Sequence, residues 1–246
     1  MTKMKPRRKS TRQESSVISS DGPNWVLIGS IVGVAAIALI ALAVIGSLNP
    51  TTAPEPTPIL SETVTNANAY CESNPERCVI TGNTDSEVTL IEVVDYGCPH
   101  CANFTATKAP TLHELYVDTN QIRWIVMPFA LGDLTKPSAA AVMCANEQSS
   151  ELGLEFHTRV FRLQGTNAVH TAGGFSDVSA GIEGLDSDAL DACVDSGRYL
   201  EDVSFNQQAA RELGVSSTPS FFLNGRLISG DQDIAVFTEG IEAALN

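Results

Sequence analysis

Residues 95–104 read DYGCPHCANF, and within them Cys98 and Cys101 are separated only by Pro99 and His100. Two thiols at this spacing can supply half of a zinc site, close a structural disulfide, or cycle between dithiol and disulfide. A zinc ion needs two further ligands, usually a second close pair. Cys71 and Cys78 have six residues between them, Cys144 and Cys193 stand alone, and His113, His157 and His170 make no ligand spacing. No metal site is expected. The run VTLIEVV (88–94) reads as a buried strand, and Pro99 suits the first turn of a helix. Cys98 then falls at a strand-to-helix junction, where unpaired N–H groups and the helix dipole favour the thiolate. In such motifs the thiol pKa runs from about 7.5 down to about 3.5, against about 8.5 for a free cysteine. Whatever stabilises the ionised, reduced form makes the disulfide a stronger oxidant, and the backbone and imidazole of His100 are placed to add to that. The four residues alone leave a structural bridge open.

The flanking segments must position the pair. A helix with a kink at Pro110 is expected from Pro99 to about Asp118, followed by a second strand, IRWIVMPF (122–129). A strand, a helix and a strand of these lengths imply a parallel pair with a right-handed crossover. Four helix-like stretches, KPSAAAVMCANEQ, ELGLEFHTRVFRL, SDALDACVDS and YLEDVSFNQQAARELG, make a helical insertion over about 133–213. SFFLNG and RLISG then form a hairpin turning at Asn224 and Gly225, and residues from about Ile234 to Leu245 a closing helix. The fold class is α/β, with the folded domain over residues 70–246.

The 24 residues from Trp25 to Leu48 carry no charge, enough for a helix to cross a bilayer at about 20 residues. Lys3, Lys5, Arg7, Arg8, Lys9 and Arg12 precede them, so the tail 1–24 is expected in the cytoplasm and everything after Leu48 outside it. A cleaved signal peptide, with Ala41 and Ala43 at its end, is the competing reading and leaves the domain on the same side. Residues 49–69, with Pro50, Pro54, Pro56 and Pro58, read as a flexible Pro- and Thr-rich tether. The formal charge of the chain is −14, and beyond Leu48 there are 27 acidic against 9 basic residues, a net of about −18. Such a domain repels phosphate backbones, which excludes nucleic acid as a partner.

The order strand, CPHC, helix, strand, helical insertion, TPSFFLNG hairpin and closing helix resembles the DsbA family of extracytoplasmic thiol-disulfide oxidoreductases over about residues 85–245. The resemblance implies a thioredoxin fold with an inserted helical domain. It implies that Cys98 is the cysteine attacked by substrate, Cys101 the buried resolving cysteine, and Pro99 with His100 the dipeptide of an oxidising member. Thr218 and Pro219 match the loop that places an Xaa-cis-proline bond against the active disulfide, where its backbone pairs with an extended substrate. Thr218 in place of an aliphatic residue is also found in relatives that reduce or isomerise. Glu92 matches a buried carboxylate able to exchange a proton with Cys101, the alternative being an outward-facing strand glutamate.

The family's redox centre is the disulfide itself, without further cofactor. Its partners would be reduced exported proteins and, for reoxidation, a membrane quinone reductase of the DsbB or VKOR type. Cys144 and Cys193, both in the insertion, are read as a structural bridge between two of its helices. Cys71 and Cys78 flank the turn-forming ESNPER and are read as a local disulfide, with a relay pair exchanging electrons with Cys98 and Cys101 as the functional rival. Three activities stay in view: an oxidase, a reductase or isomerase of the same fold, and a redox-inert peptide-binding module.

Overall fold

The computed structural model describes residues 66–165 and 170–246. The tail, the apolar stretch 25–48 and the tether up to residue 65 lie outside the described residues. Among the described residues no helix is long and apolar enough to cross a membrane.

Seven consecutive buried residues, Thr89–Asp95, form the central strand β2. Both faces of a strand can be apolar only where both are covered, and β2 is flanked on either side. The sheet has the order β1-β3-β2-β4-β5, with β1 at Val79–Gly82, β3 at Arg123–Phe129, β4 at Ser220–Leu223 and β5 at Arg226–Ser229. β2 runs parallel to β3, as the strand–helix–strand spacing predicts, and antiparallel to β4. The edge strand β1, antiparallel to β3, was not expected. Its four residues are too few to show a period above the surrounding loop. The β4–β5 hairpin turns at Asn224 (φ 46°) and Gly225 (φ 83°), the two left-handed positions that an Asn-Gly turn supplies. Asn224 also ties the hairpin to β2, its amide oxygen accepting from Thr89 N at 2.8 Å.

Helix α1 is Ala67–Ser73, capped by the side chain of Asn66, so regular structure begins inside the end of the tract read as tether. Helix α2 is Pro99–Thr107 and α3 is Ala109–Leu112, continued by a π turn at His113–Val117. The single kinked helix expected here is thus two helices, divided at Lys108, because Pro110 has no N–H to donate to residue 106. The insertion comprises α4 (Lys136–Asn146), α5 (Ser150–Arg162), α6 (Ala172–Ser179), α7 (Ser187–Ser196) and α8 (Leu200–Glu212). Helix α9, Ile234–Leu245, closes the domain.

Strand alternation sends Leu90 and Val94 into a large core with Phe104 of α2, Trp124, Phe221 and Phe237, and sends Ile91 and Val93 into a smaller one with Ile125, Met127, Ala209 and Phe222. Phe104 anchors the first, with its ring 4.5 Å from that of Phe221 and 5.3 Å from that of Phe237. Truncating such a side chain to alanine costs about 3–5 kcal/mol. The cluster therefore fixes α2, and with it Cys98 and Cys101, against the sheet.

Candidate active site

β2 delivers Asp95 to a tight turn closed by Cys98 N donating to Asp95 O at 2.9 Å. The Asp95 carboxylate, almost fully buried, pins that turn in place. One of its oxygens accepts from Gly97 N at 2.7 Å, and the other accepts from Leu131 N at 2.5 Å and Thr135 Oγ1 at 2.8 Å. A Cβ at residue 97 would lie 2.7 Å from Thr135 Cγ2, so any side chain there would force Thr135 to shift. From the sequence alone Asp95 has no role beyond lining the site. A carboxylate directly after an apolar strand and two residues before a glycine was the available signal.

Cys98 is the N-cap of α2, with extended backbone (φ −82°, ψ 117°), and Pro99 opens the helix. Both cysteines are free thiols. Cys101, one turn into the helix, has no exposure, and Cys98 retains 8%. The first sulfur is thus more covered than its place at a helix start suggests, because the loop before β4 lies over it. Cys98 Sγ stands 3.2 Å from the carbonyl oxygen of Thr218, and the Thr218–Pro219 bond is cis.

These neighbours make the two thiols unlike. The Cys101 thiol hydrogen-bonds the Cys98 sulfur, and together with the Thr218 side chain and the backbone N–H groups of Cys101 and His100 it lowers the Cys98 pKa to about 5 against the opposing effect of burial. Burial, reinforced by the hydrogen bond and charge of Cys98, pushes Cys101 in the other direction. The His100 contribution runs through its backbone, while its side chain and that of Pro99 are exposed. The hydroxyl of Thr218 is buried and has no hydrogen-bond partner among the described residues, so it is free to turn toward the thiolate.

Glu92 sits on the β2 face that carries Leu90 and Val94, 1% exposed, which removes the outward-facing alternative. Burial raises its pKa to about 8, and its Oε1 has no hydrogen-bond partner among the described residues. Its charge is one of the influences that raise Cys101. Glu92 lines a cleft of about 430 Å³ together with Thr105, His113, Trp124 and His157, reaching the surface at Pro110, Asp118 and Glu151. Thr105 Oγ1 and Trp124 Nε1, also buried without partners among the described residues, open onto the same cleft. A space of this size with three unpaired polar groups can hold bridging water. The arrangement can therefore hold one thiolate, narrowly exposed, beneath the loop of Thr218, keep a second thiol protonated behind it, and place a titrating carboxyl near the second.

The family model described as Thioredoxin matches residues 73–243. The chain belongs to the thioredoxin family. Among solved structures in this family's fold, BdbD from Bacillus subtilis, in its oxidised form, superposes with a TM-score of 0.61 at 21% identity, over 68% of this chain and 91% of BdbD. DsbA from Chlamydia trachomatis gives 0.61 at 17% identity, over 67% of this chain and 90% of that one. The thioredoxin fold with a helical insertion is therefore shared with these structures. A Rickettsia typhi chain provisionally named a protein-disulfide oxidoreductase is 27% identical over 150 residues, 60% of this chain and 54% of its own length. The chain spans between about half and three fifths of the length of such curated relatives.

In this thioredoxin-family domain the remaining cysteines are paired, Cys71 with Cys78 and Cys144 with Cys193. The second bridge joins α4 to α7. The first lies in the smaller core with Ile91 and Phe222, whereas Cys98 and Cys101 belong to the larger core. Both sulfurs of the first bridge are shut from solvent, with Cys71 at 0% and Cys78 at 1% exposure.

Proposed function

We propose that the chain is a membrane-anchored, extracytoplasmic thiol-disulfide oxidoreductase acting as an oxidase that passes a Cys98–Cys101 disulfide to exported proteins. The observation that carries this reading is the asymmetry of the pair, an acidic Cys98 at the surface end of α2 and a buried, proton-holding Cys101 behind it. A strongly stabilised Cys98 thiolate favours the reduced enzyme, and hence oxidation of the substrate. The named relatives, described as disulfide oxidoreductases and DsbA proteins, support the same chemistry.

In the forward reaction a substrate thiolate attacks Cys98 Sγ, the Cys98–Cys101 bond breaks, and Cys101 leaves with the electron pair. Cys101 takes a proton from Glu92, which the cleft lets exchange with solvent. A second substrate thiolate attacks the substrate sulfur of the mixed disulfide, and Cys98 departs as the thiolate. The substrate has lost two electrons and the enzyme has gained them as a dithiol. Thr218 O and the backbone beside Pro219 would receive the extended substrate segment. Reoxidation is assigned to a DsbB- or VKOR-type membrane quinone reductase, which a span at residues 25–48 would keep close by. The buried Cys71–Cys78 and Cys144–Cys193 bridges are assigned structural roles, since exchange needs an accessible sulfur.

Thr218 is the feature favouring a reductase or isomerase instead. The reduction potential of the pair in the full-length chain, measured against a glutathione buffer, separates the readings. The oxidase requires a value well above about −200 mV. A value near about −270 mV, that of thioredoxin, overturns it in favour of the reductase. A redox-inert peptide binder is tested separately, since only that reading lets Cys98→Ser retain function.

A further inference from the structure

Helix α5 belongs to the insertion, yet three residues along it reach the turn that carries Cys98. His157, Phe161 and Gln164 follow one another at i, i+4 and i+7, which lines them up on one face that continues just past the helix end. All three meet Tyr96, a fully buried side chain two residues before Cys98. The phenol oxygen of Tyr96 is 3.0 Å from Nδ1 of His157. The Tyr96 ring stacks on Phe161 with centroids 5.0 Å apart. Gln164 Nε2 donates to the carbonyl oxygen of Tyr96 at 2.9 Å and to that of Cys98 at 3.0 Å.

The chemistry of each contact is consistent with a permanent grip. Burial holds His157 neutral, with its pKa lowered to about 3, and burial raises Tyr96 far above the usual phenol range. Both partners are therefore neutral, and one proton is shared between the phenol oxygen and Nδ1. The two carbonyls held by Gln164 belong to the residues on either side of Gly97, the backbone position with most conformational freedom in the turn. Cys98 O also receives the first helical bond of α2, from Ala102 N at 3.2 Å, so the amide grips the cap of that helix.

The groups that face the Cys98 sulfur, the Cys101 thiol, the N–H groups of His100 and Cys101, and Thr218, are directional donors and act only if the sulfur is held over them. Resting on the reading of Cys98 and Cys101 as a redox pair, we propose that Gln164 is a positioning residue, backed by Phe161 and His157. Through it the helical insertion keeps the Cys98 sulfur over its hydrogen-bond donors. The insertion is in this respect part of the redox centre.

Titratable groups near the turn are Glu92 and Asp95 of β2, His100 and Cys101 of α2, Asp231 of the β5–α9 loop and His157 of α5. Gln164→Met removes two hydrogen bonds and changes none of those charges, so a shift in the Cys98 titration reports position. Alkylation of Cys98 in the reduced, full-length chain, followed across pH, is expected to show a midpoint about one pH unit higher in Gln164→Met than in the natural chain, a tenfold change in proton affinity. Gln164→Ala is expected to shift the midpoint in the same direction, and Tyr96→Phe to shift it less than additively when combined with Gln164→Met. Thermal melts of the same samples are the control. If the natural chain has a depressed midpoint that neither Gln164 variant moves, whatever their melting temperatures, the positioning role is overturned and the redox reading stands. If the natural chain itself titrates near the ordinary value of about 8.5, both are overturned.

Discussion

Cys98 Sγ lies 3.2 Å from the carbonyl oxygen of Thr218, although 120 residues of chain separate them. That contact brings a second element to a thiol whose acidity would otherwise depend on α2 alone. The oxygen can accept from a protonated Cys98, whereas only the buried Thr218 hydroxyl can donate to the thiolate. Thr218→Val keeps the shape and the carbonyl and removes that donor. It is expected to raise the Cys98 pKa from about 5 by up to about one unit. Thiolate absorbance followed across an acid titration measures the shift, and an unmoved midpoint would show that the hydroxyl does not reach the sulfur.

The unequal thiols predict unequal variants. Cys101→Ser leaves Cys98 reactive but without the partner that resolves a mixed disulfide, so the variant is expected to accumulate covalent adducts with disulfide-containing peptides. Cys98→Ser is expected to form none. Intact-mass spectrometry before and after reduction distinguishes the two, and adducts on Cys101 in the Cys98→Ser variant would contradict the assigned roles.

Glu92 is isolated enough for a clean substitution. Glu92→Gln preserves its volume but removes the titrating proton, and is expected to slow thiol exchange about a hundredfold, at the lower end of what general acid–base catalysis contributes. Stability gives an independent check whose sign follows from linkage. The folded pKa of Glu92, about 8, lies above its ordinary value of 4.5, so the native state holds this proton where the unfolded chain releases it. Its contribution to stability is fully present below pH 4.5 and is lost as pH rises to about 8. Urea melts should therefore show Glu92→Gln gaining stability relative to the natural chain across that interval. A constant difference would mean that the carboxyl is not buried in solution.

The two bridges should matter for folding but not for electron transfer. Replacing Cys144 and Cys193 together by serine opens a loop of 49 residues, and replacing Cys71 and Cys78 opens one of 7. Chain-entropy scaling gives losses of about 4 and about 2 kcal/mol respectively. Denaturant melts measure both. Turnover of a reduced model substrate under folding conditions should be retained in each double variant, and its loss in Cys71→Ser with Cys78→Ser would revive the relay.

Much of this molecule is local and therefore legible in one dimension. The buried strand at 89–95, the helix beginning at Pro99, the Asn224–Gly225 turn and the succession of helices between β3 and β4 each follow from residue preferences acting over a few neighbours. The CPHC motif likewise fixes two sulfurs one turn apart at a helix end by its spacing alone. Other features depend on what distant segments bring together. Whether Glu92 faced solvent or core could not follow from its strand, because both faces of β2 are apolar and helices beyond the strand, α2 and α5 among them, cover its side. The clamp of Asp95 on Leu131 and Thr135 and the grip of Gln164 on Tyr96 and Cys98 join residues 36 to 68 positions apart. No periodicity encodes such pairings, because most of their partners are backbone groups that every residue carries. The sequence by itself determined that two thiols would stand at the head of a helix. The tertiary structure decided how far their acidities diverge, since directional hydrogen bonds and burial act over a few ångströms and depend on what lies across the site.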